Sequence, residues 1–277
     1  MTSFSDLGLR GALVAALSKN GITEPFPIQE QTIRDSLAGR DVCGKARTGS
    51  GKTLAFGLPM LEKIERGASK NRPRALVLAP TRELASQIVD ALRPLAKPLG
   101  LHVAAFYGGA PMDRQIQFLQ RGVDIAVATP GRLTDLTERK SFRFDDIQYV
   151  VIDEADHMAD MGFLPQVEWI MRQLPHKDGK PTPQMLLFSA TLDGDVDVLI
   201  RRYMHDPVHH EVVVPEDEKA DVVHRFFEVH NMDRVRVAAE IAKSAGRTIA
   251  FVRTKRAADR VSDQLEEHGV RSAPIHG

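Results

Sequence analysis

Two short segments, Ala46-Arg47-Thr48-Gly49-Ser50-Gly51-Lys52-Thr53 and Asp153-Glu154-Ala155-Asp156, have the residue types of a nucleoside triphosphate site. The first follows an apolar run ending at Gly44 and opens a helical pattern through Leu54, Phe56, Leu58, Leu61 and Ile64. A glycine-rich loop between strand and helix can wrap its backbone N–H groups around phosphates, and the helix N-terminus adds partial positive charge. Lys52 is expected to reach the β- and γ-phosphates and the Thr53 hydroxyl to bind magnesium. Ala46 departs from the general G-x-x-x-x-G-K-[ST] pattern, and a glycine-rich turn with a surface lysine is the competing account. The run Tyr149-Val150-Val151-Ile152 reads as a buried parallel strand ending in Asp153-Glu154. A carboxylate there lies where ligands bind in open α/β sheets. Asp153 is then expected to hold magnesium and Glu154 to orient or deprotonate an attacking water, against the plainer account of an acidic helix cap.

These groups need a scaffold, and the chain supplies one. It has 277 residues, 43% of them hydrophobic, enough for one large domain or two smaller ones. A formal net charge of +0 gives no global attraction to nucleic acid, so a polyanion site must come from local patches. Cys43 is the only cysteine, which excludes an intrachain disulfide and a cysteine metal cluster. No signal peptide or membrane span is readable, and a soluble cytoplasmic protein is expected. Strand-like runs at 75–79, 103–106, 125–128, 149–152 and 185–188 alternate with amphipathic helices, which predicts a mostly parallel sheet with helices on both faces. Leu9, Leu13 and Leu17 mark an early helix, and Pro27 opens a second that stops by Gly39. Val198 and Leu199 are expected to pack in a helix after Asp193, Trp169 in a core and His209-His210 at a strand edge or loop.

The periodicity lapses at 214–219, read as a linker. Beyond it, 222–229 alternates like a strand, 235–245 is helical, 248–252 reads as a buried strand and 257–268 is helical again. The expected domains are therefore 1–213, a linker at 214–219, and the incomplete start of a second α/β unit at 220–277, since domains usually need roughly 100–150 residues.

Further motifs end the predicted strands: Pro80-Thr81-Arg82-Glu83-Leu84-Ala85, Gly108-Gly109, Thr129-Pro130-Gly131-Arg132 and Ser189-Ala190-Thr191. Upstream stands Gly21-Ile22-Thr23-Glu24-Pro25-Phe26-Pro27-Ile28-Gln29, with an isolated Phe4 ahead of it. With these the chain resembles, over its whole length, the DEAD-box family of RNA helicases, whose own phosphate loop begins with Ala and whose Q motif matches the upstream segment. The resemblance implies a RecA-like P-loop domain and the beginning of a second, with ATP and Mg2+ as ligands. It implies that Thr48, Gly49, Ser50, Gly51, Lys52 and Thr53 bind the nucleotide and that Gln29 reads the adenine edge. Phe4 either stacks on the base or staples the first helix to the core. Pro80, Thr81, Arg82, Gly108, Gly109, Thr129, Pro130, Gly131 and Arg132 would line a path for RNA backbone, contacts that fix register without reading sequence. Taken singly, Thr81 and Thr129 are also good helix caps. Asp156, Ser189 and Thr191 would couple the nucleotide site to RNA-driven closure. In the second unit Ile249-Ala250-Phe251-Val252-Arg253-Thr254 resembles the family's first motif there, adding Thr254 to the RNA contacts.

The implied activity is ATP-dependent local RNA unwinding or remodelling, with Lys52, Asp153 and Glu154 catalytic. The family's arginine fingers lie in segments this sequence lacks, so the 277 residues are expected to bind nucleotide better than they turn it over. A DNA-directed P-loop motor and a non-catalytic ATP- and RNA-binding module remain as alternatives.

Overall fold

The computed structural model describes residues 2–47, 49–177, 179–212 and 223–276. The chain divides into two compact units, Met1–Val214 and Pro215–Gly277. The segment 214–219 read as a linker lies outside the described residues.

In the first unit the strands are β1 (Val42–Lys45), β2 (Ala75–Leu78), β3 (Val103–Phe106), β4 (Ile125–Ala128), β5 (Tyr149–Asp153), β6 (His176–Lys177), β7 (Lys180–Pro181), β8 (Gln184–Ser189) and β9 (Val208–Glu211). Its helices are α1 (Gly11–Lys19), α2 (Pro27–Leu37), α3 (Lys52–Lys63), α4 (Arg82–Ala96), α5 (Met112–Arg121), α6 (Pro130–Glu138), α7 (Ala155–Asp160), α8 (Leu164–Gln173) and α9 (Asp195–Tyr203). Seven strands form one sheet in the order β3-β4-β2-β5-β8-β1-β9, and every pairing is parallel. The remaining two, β6 and β7, make a small antiparallel hairpin.

Strand periodicity divides the core. Val77, Val127, Val151, Leu186 and Phe188 face one cluster, with Leu13 and Leu17 of α1, Ile28 of α2 and Phe56 of α3. Their neighbours Leu76, Ala126, Val150, Ile152 and Leu187 face the other, with Leu133 of α6, Met158 of α7 and Ile170 of α8. Both faces of a parallel sheet need such cover, which is why its strands read as continuous apolar runs. In α9 the inward face is Val196, Leu199 and Ile200, while Val198 is exposed, correcting its expected packing. Val196, Leu199, Ile200 and Tyr203 follow the i, i+3, i+4, i+7 spacing of one helix face, and Val198 falls on the opposite side. Trp169 is half-buried at the rim of the second cluster. His209-His210 lies on β9, the sheet's edge strand, with His210 Nε2 2.8 Å from the Asp35 carboxylate on α2.

The second unit carries α10 (Arg234–Ala245) and α11 (Lys255–Glu267), which pack together. Neither expected strand is present among the described residues. Phe226 is 95% exposed and Phe251 93%, so 248–252 is not buried either. A strand needs a hydrogen-bonded neighbour and a covered face, and the described residues of this unit supply neither. Among the described residues no helix is long and apolar enough to cross a membrane.

Candidate active site at the carboxyl edge of the sheet

Because all seven strands run parallel, the loops that leave their carboxyl ends lie along one edge. The loop after β1 enters α3 at Gly51, which has φ 87° and caps the helix; Gly49 has φ 85°. Both dihedrals are left-handed, where glycine alone is at ease. A Cβ on Gly51 would lie 2.5 Å from Gln29 Nε2, so the close approach of α2 also requires glycine. Ser50 Oγ donates to the Arg47 carbonyl at 2.7 Å, tightening the turn. Thr48 lies outside the described residues. Thr53 follows Lys52 in the first turn of α3 and is half-buried.

Lys52 is buried, and its Nζ has no hydrogen-bond partner among the described residues. A buried unpaired ammonium is costly, more so at a helix N-terminus whose dipole repels it. Phosphate oxygens would satisfy both, so the loop fits a polyphosphate.

Asp153 closes β5 and is 2% exposed. Burial pushes its carboxyl up to about 7; Lys52 opposes the rise and Glu154 adds to it. A divalent cation would replace that proton. Glu154 has φ 54°, a strained conformation for a residue with a side chain, and its carboxylate lies 3.4 Å from His157 Nδ1. Asp156 Oδ2 accepts from the backbone N–H groups of Ala190 and Thr191, each at 3.2 Å, and the Asp156 N–H donates to Ser189 Oγ at 3.1 Å. Burial works to raise the Asp156 carboxyl, but hydrogen bonds from Ser189 and the neighbouring amides outweigh it and hold it below the usual range. Ser189 also accepts from the Ala46 N–H through its carbonyl at 3.0 Å. It therefore joins the phosphate loop to the acidic strand end.

Gln29 is fully buried: its Nε2 donates to the Gly51 carbonyl at 2.9 Å and its Oε1 accepts from the Phe26 N–H at 3.0 Å. The amide braces the loop and keeps one N–H and one lone pair in reserve. Phe4 lies 2% exposed in the same core as Leu13 and Leu17, which corrects the stacking alternative for this conformation: the ring gains more by burial than an exposed ring would. An exposed aromatic does flank the loop, Phe26, 54% exposed, whose Cδ2 would be 2.9 Å from a Cβ on Gly51.

The other loops leave β2, β3 and β4. Thr81 caps α4, its Oγ1 accepting from the Leu84 N–H at 3.2 Å, after a buried Pro80; Arg82 is exposed and paired with Glu83. Gly108 and Gly109 are exposed. Thr129 precedes α6 without a side-chain capping bond, Pro130 is buried and Gly131 exposed. Arg132 departs from expectation: its side chain is 9% exposed and its Nη1 donates to the Ala110 carbonyl at 3.1 Å. In the second unit Thr254 caps α11 by accepting from the Ala257 N–H at 3.1 Å. Sequence reasoning missed Phe26 and His157, although a proline-flanked aromatic and a histidine one turn beyond Glu154 were signals for them.

The DEAD/DEAH box helicase family profile matches residues 26–199. The chain is 38% identical over 279 residues to the ATP-dependent RNA helicase CshA of Listeria monocytogenes, covering 100% of this chain and 52% of that protein. It is 38% identical over 285 residues to the DEAD-box ATP-dependent RNA helicase 9, mitochondrial, of Arabidopsis thaliana, covering 99% and 45%. It thus spans about half the length of the curated relatives it matches. A crystal structure of a DEAD box protein from the hyperthermophile Methanococcus jannaschii superposes with a TM-score of 0.72 at 30% identity, over 100% of this chain and 73% of that one. The buried Lys52 ammonium, the buried Asp153 carboxyl beside it and these likenesses converge: the chain belongs to the DEAD/DEAH box helicase family.

Proposed function

We propose that this chain provides the nucleotide site and part of the RNA path of an ATP-dependent RNA helicase. The observation that carries the reading is Lys52, an ammonium buried without a hydrogen-bond partner at a helix N-terminus, beside the Asp153 carboxyl that burial pushes up to about 7. Lys52, the loop 46–51 and the α3 N-terminus hold the phosphates, and Thr53 and Asp153 hold magnesium. Among the described residues no cluster of three or more His, Cys, Asp or Glu could hold a metal. With Thr53 and Asp153 as protein ligands, a magnesium ion would take its remaining ligands from substrate oxygens and water. Bound with ATP, the ion supplies charge neutralisation at the transferring phosphoryl group. Glu154 orients or deprotonates the attacking water. Gln29 selects adenine with its remaining N–H and lone pair. Asp156, Ser189 and Thr191 carry the state of the nucleotide site to the neighbouring loops. Arg82, Gly108, Gly109 and Gly131 face RNA backbone, and Thr254 adds a contact from the second unit.

The 277 residues by themselves bind ATP and, weakly, RNA, with little turnover or unwinding; the described residues of the second unit carry two α-helices, a short 3-10 helix and no strand, which supports this reading. The domain reading is a nucleotide-binding unit at 1–213, a linker at 214–219 and part of a second RecA-like unit at 220–277. ATP hydrolysis with and without RNA, with DNA as competitor, tests it. Stimulation by RNA that Glu154→Gln abolishes is expected in the helicase to which the chain contributes. Equal stimulation by DNA would instead favour a DNA-directed motor, and nucleotide binding that E154Q leaves unchanged without any turnover a binding module.

A further inference from the structure

The loop that presents Gly108 and Gly109 is held from behind at both ends. Tyr107, at the foot of the loop, accepts through its carbonyl from Gln115 Nε2 at 3.0 Å, and Ala110, at the far end, accepts from Arg132 Nη1 at 3.1 Å. Gln115 comes from α5 and is 4% exposed; Arg132 comes from α6. Between these two ties the glycines are exposed, Gly109 with φ 82°, and their N–H groups make no backbone hydrogen bond among the described residues. Two adjacent glycines lose more conformational freedom on ordering than any other pair, so a fixed shape needs such restraints. Neither side chain is spent on solvent. The guanidinium is turned inward, its Nε 3.8 Å from the Asp135 carboxylate and without a hydrogen bond.

We propose that Gln115 and Arg132 are positioning residues that clamp the 107–110 loop so that the two glycine amides meet successive oxygens of an RNA phosphate. The proposal rests on the RNA-binding reading above and gives Arg132 a different part in it. Arg132 acts through the Ala110 carbonyl and touches no phosphate, and Gln115, a neutral residue outside every motif, shares its role.

The test uses Gln115→Leu and Arg132→Met, each keeping side-chain bulk while deleting the donor, with Gln115→Glu and Arg132→Lys as further variants should either fail to fold. Affinity for a fluorescein-labelled single-stranded ten-nucleotide RNA is measured across a salt series, affinity for a fluorescent ADP reports an intact nucleotide site, and NMR order parameters follow Gly108 and Gly109. Each variant is expected to bind RNA about tenfold more weakly, the equivalent of about 1.4 kcal/mol. ADP affinity should stay within about twofold, the glycine order parameters should fall from about 0.85 toward 0.6, and the salt dependence of RNA binding should not change. The double variant should be little worse than either single one, because one free end already releases the loop. Arg132→Lys, which keeps a donor, should recover part of the loss. Unchanged RNA affinity in Gln115→Leu would overturn the proposal, and so would a salt slope reduced by about 0.7 in Arg132→Met, the signature of one lost single-strand phosphate contact. If the parent chain binds no RNA, the RNA reading fails by itself; rigid glycines in both variants would then refute the clamp independently.

Discussion

Replacing Lys52 by methionine should stabilise the nucleotide-free protein while destroying its response to nucleotide. The side chain is 6% exposed, its Nζ lacks a hydrogen bond among the described residues, and it is the first residue of α3. A buried unsatisfied polar group costs about 1–3 kcal/mol, and a cation at a helix N-terminus about 0.3–1 kcal/mol more. One compensation must be subtracted. Lys52 lowers the Asp153 carboxyl against burial, so the pair attract each other when both are charged. Below pH 7 Asp153 is mostly neutral and that attraction fades. Methionine matches lysine in helix propensity and fills similar space. A net gain of about 2 kcal/mol at pH 6 is therefore expected, which at roughly 2–4 °C per kcal/mol for a domain of this size raises Tm by about 4–8 °C.

The assay is thermal or urea unfolding at pH 6 and pH 8, with and without ADP and magnesium. At a ligand concentration of 100 Kd the parent protein should gain about 2.7 kcal/mol from nucleotide, and the Lys52→Met variant almost none. The gain in the nucleotide-free state should be smaller at pH 8, where Asp153 is ionised and loses its partner. A variant less stable than the parent by more than about 1 kcal/mol at pH 6 would refute the reasoning, because Lys52 would then be a structural ion-pair member and not a ligand group awaiting phosphate.

Asp153 itself titrates with a recognisable sign. Its folded pKa, raised by burial to about 7 from 3.8, means that between those values the folded state holds a proton the unfolded chain has released. Its contribution is present in full below about pH 4, declines by a few kcal/mol up to about pH 7 and is flat beyond; magnesium–nucleotide affinity, measured by calorimetry, should rise through the same window, and Asp153→Asn should remove that slope. Gly51→Ala forces a left-handed φ of 87° on alanine and places its Cβ 2.5 Å from Gln29 Nε2, so denaturation should show a loss of about 1–3 kcal/mol together with weaker ADP binding. Asp156→Ala deletes the acceptor of the Ala190 and Thr191 amides; ADP affinity should change less than about threefold while RNA stimulation of ATP hydrolysis in the helicase disappears, and retained stimulation would count against coupling through this contact.

Strands such as 75–79 and 125–128 were legible because burial on both faces demands unbroken apolar runs. The edge strand β9 was only half legible, since Val208-His209-His210-Glu211 is covered on alternate residues and polar between them. In the second unit the same kind of pattern over-called strands: alternation records a capacity to pair, and the described residues offer no partner. Motif spacing located the loops, because parallel topology carries each strand's carboxyl end to one edge. It could not set the direction of a side chain. Arg132 turns inward to Ala110, Phe4 enters the core and Phe26 stays out. Gln115 was invisible for a related reason, as a glutamine on an amphipathic helix ordinarily belongs to its wet face.

The residues at this edge share a further property: several are held in states that the polypeptide alone leaves incompletely satisfied. Lys52 Nζ is buried without a hydrogen bond among the described residues, burial pushes the Asp153 carboxyl up to about 7 and Glu154 sits at φ 54°. Asp156 stands in contrast, well hydrogen-bonded and held ionised. A magnesium–triphosphate complex would answer the first two demands together, so part of its affinity would come from relieving costs already present in the fold. Asp156 and Ser189 join that site to the loop 189–191 through bonds of 3.1 and 3.2 Å. A change in charge at Asp153 therefore lies three residues from a carboxylate that orders a different loop. These hydrogen bonds would give nucleotide binding a physical means of biasing the neighbouring edge, and Asp156→Ala tests that proposal.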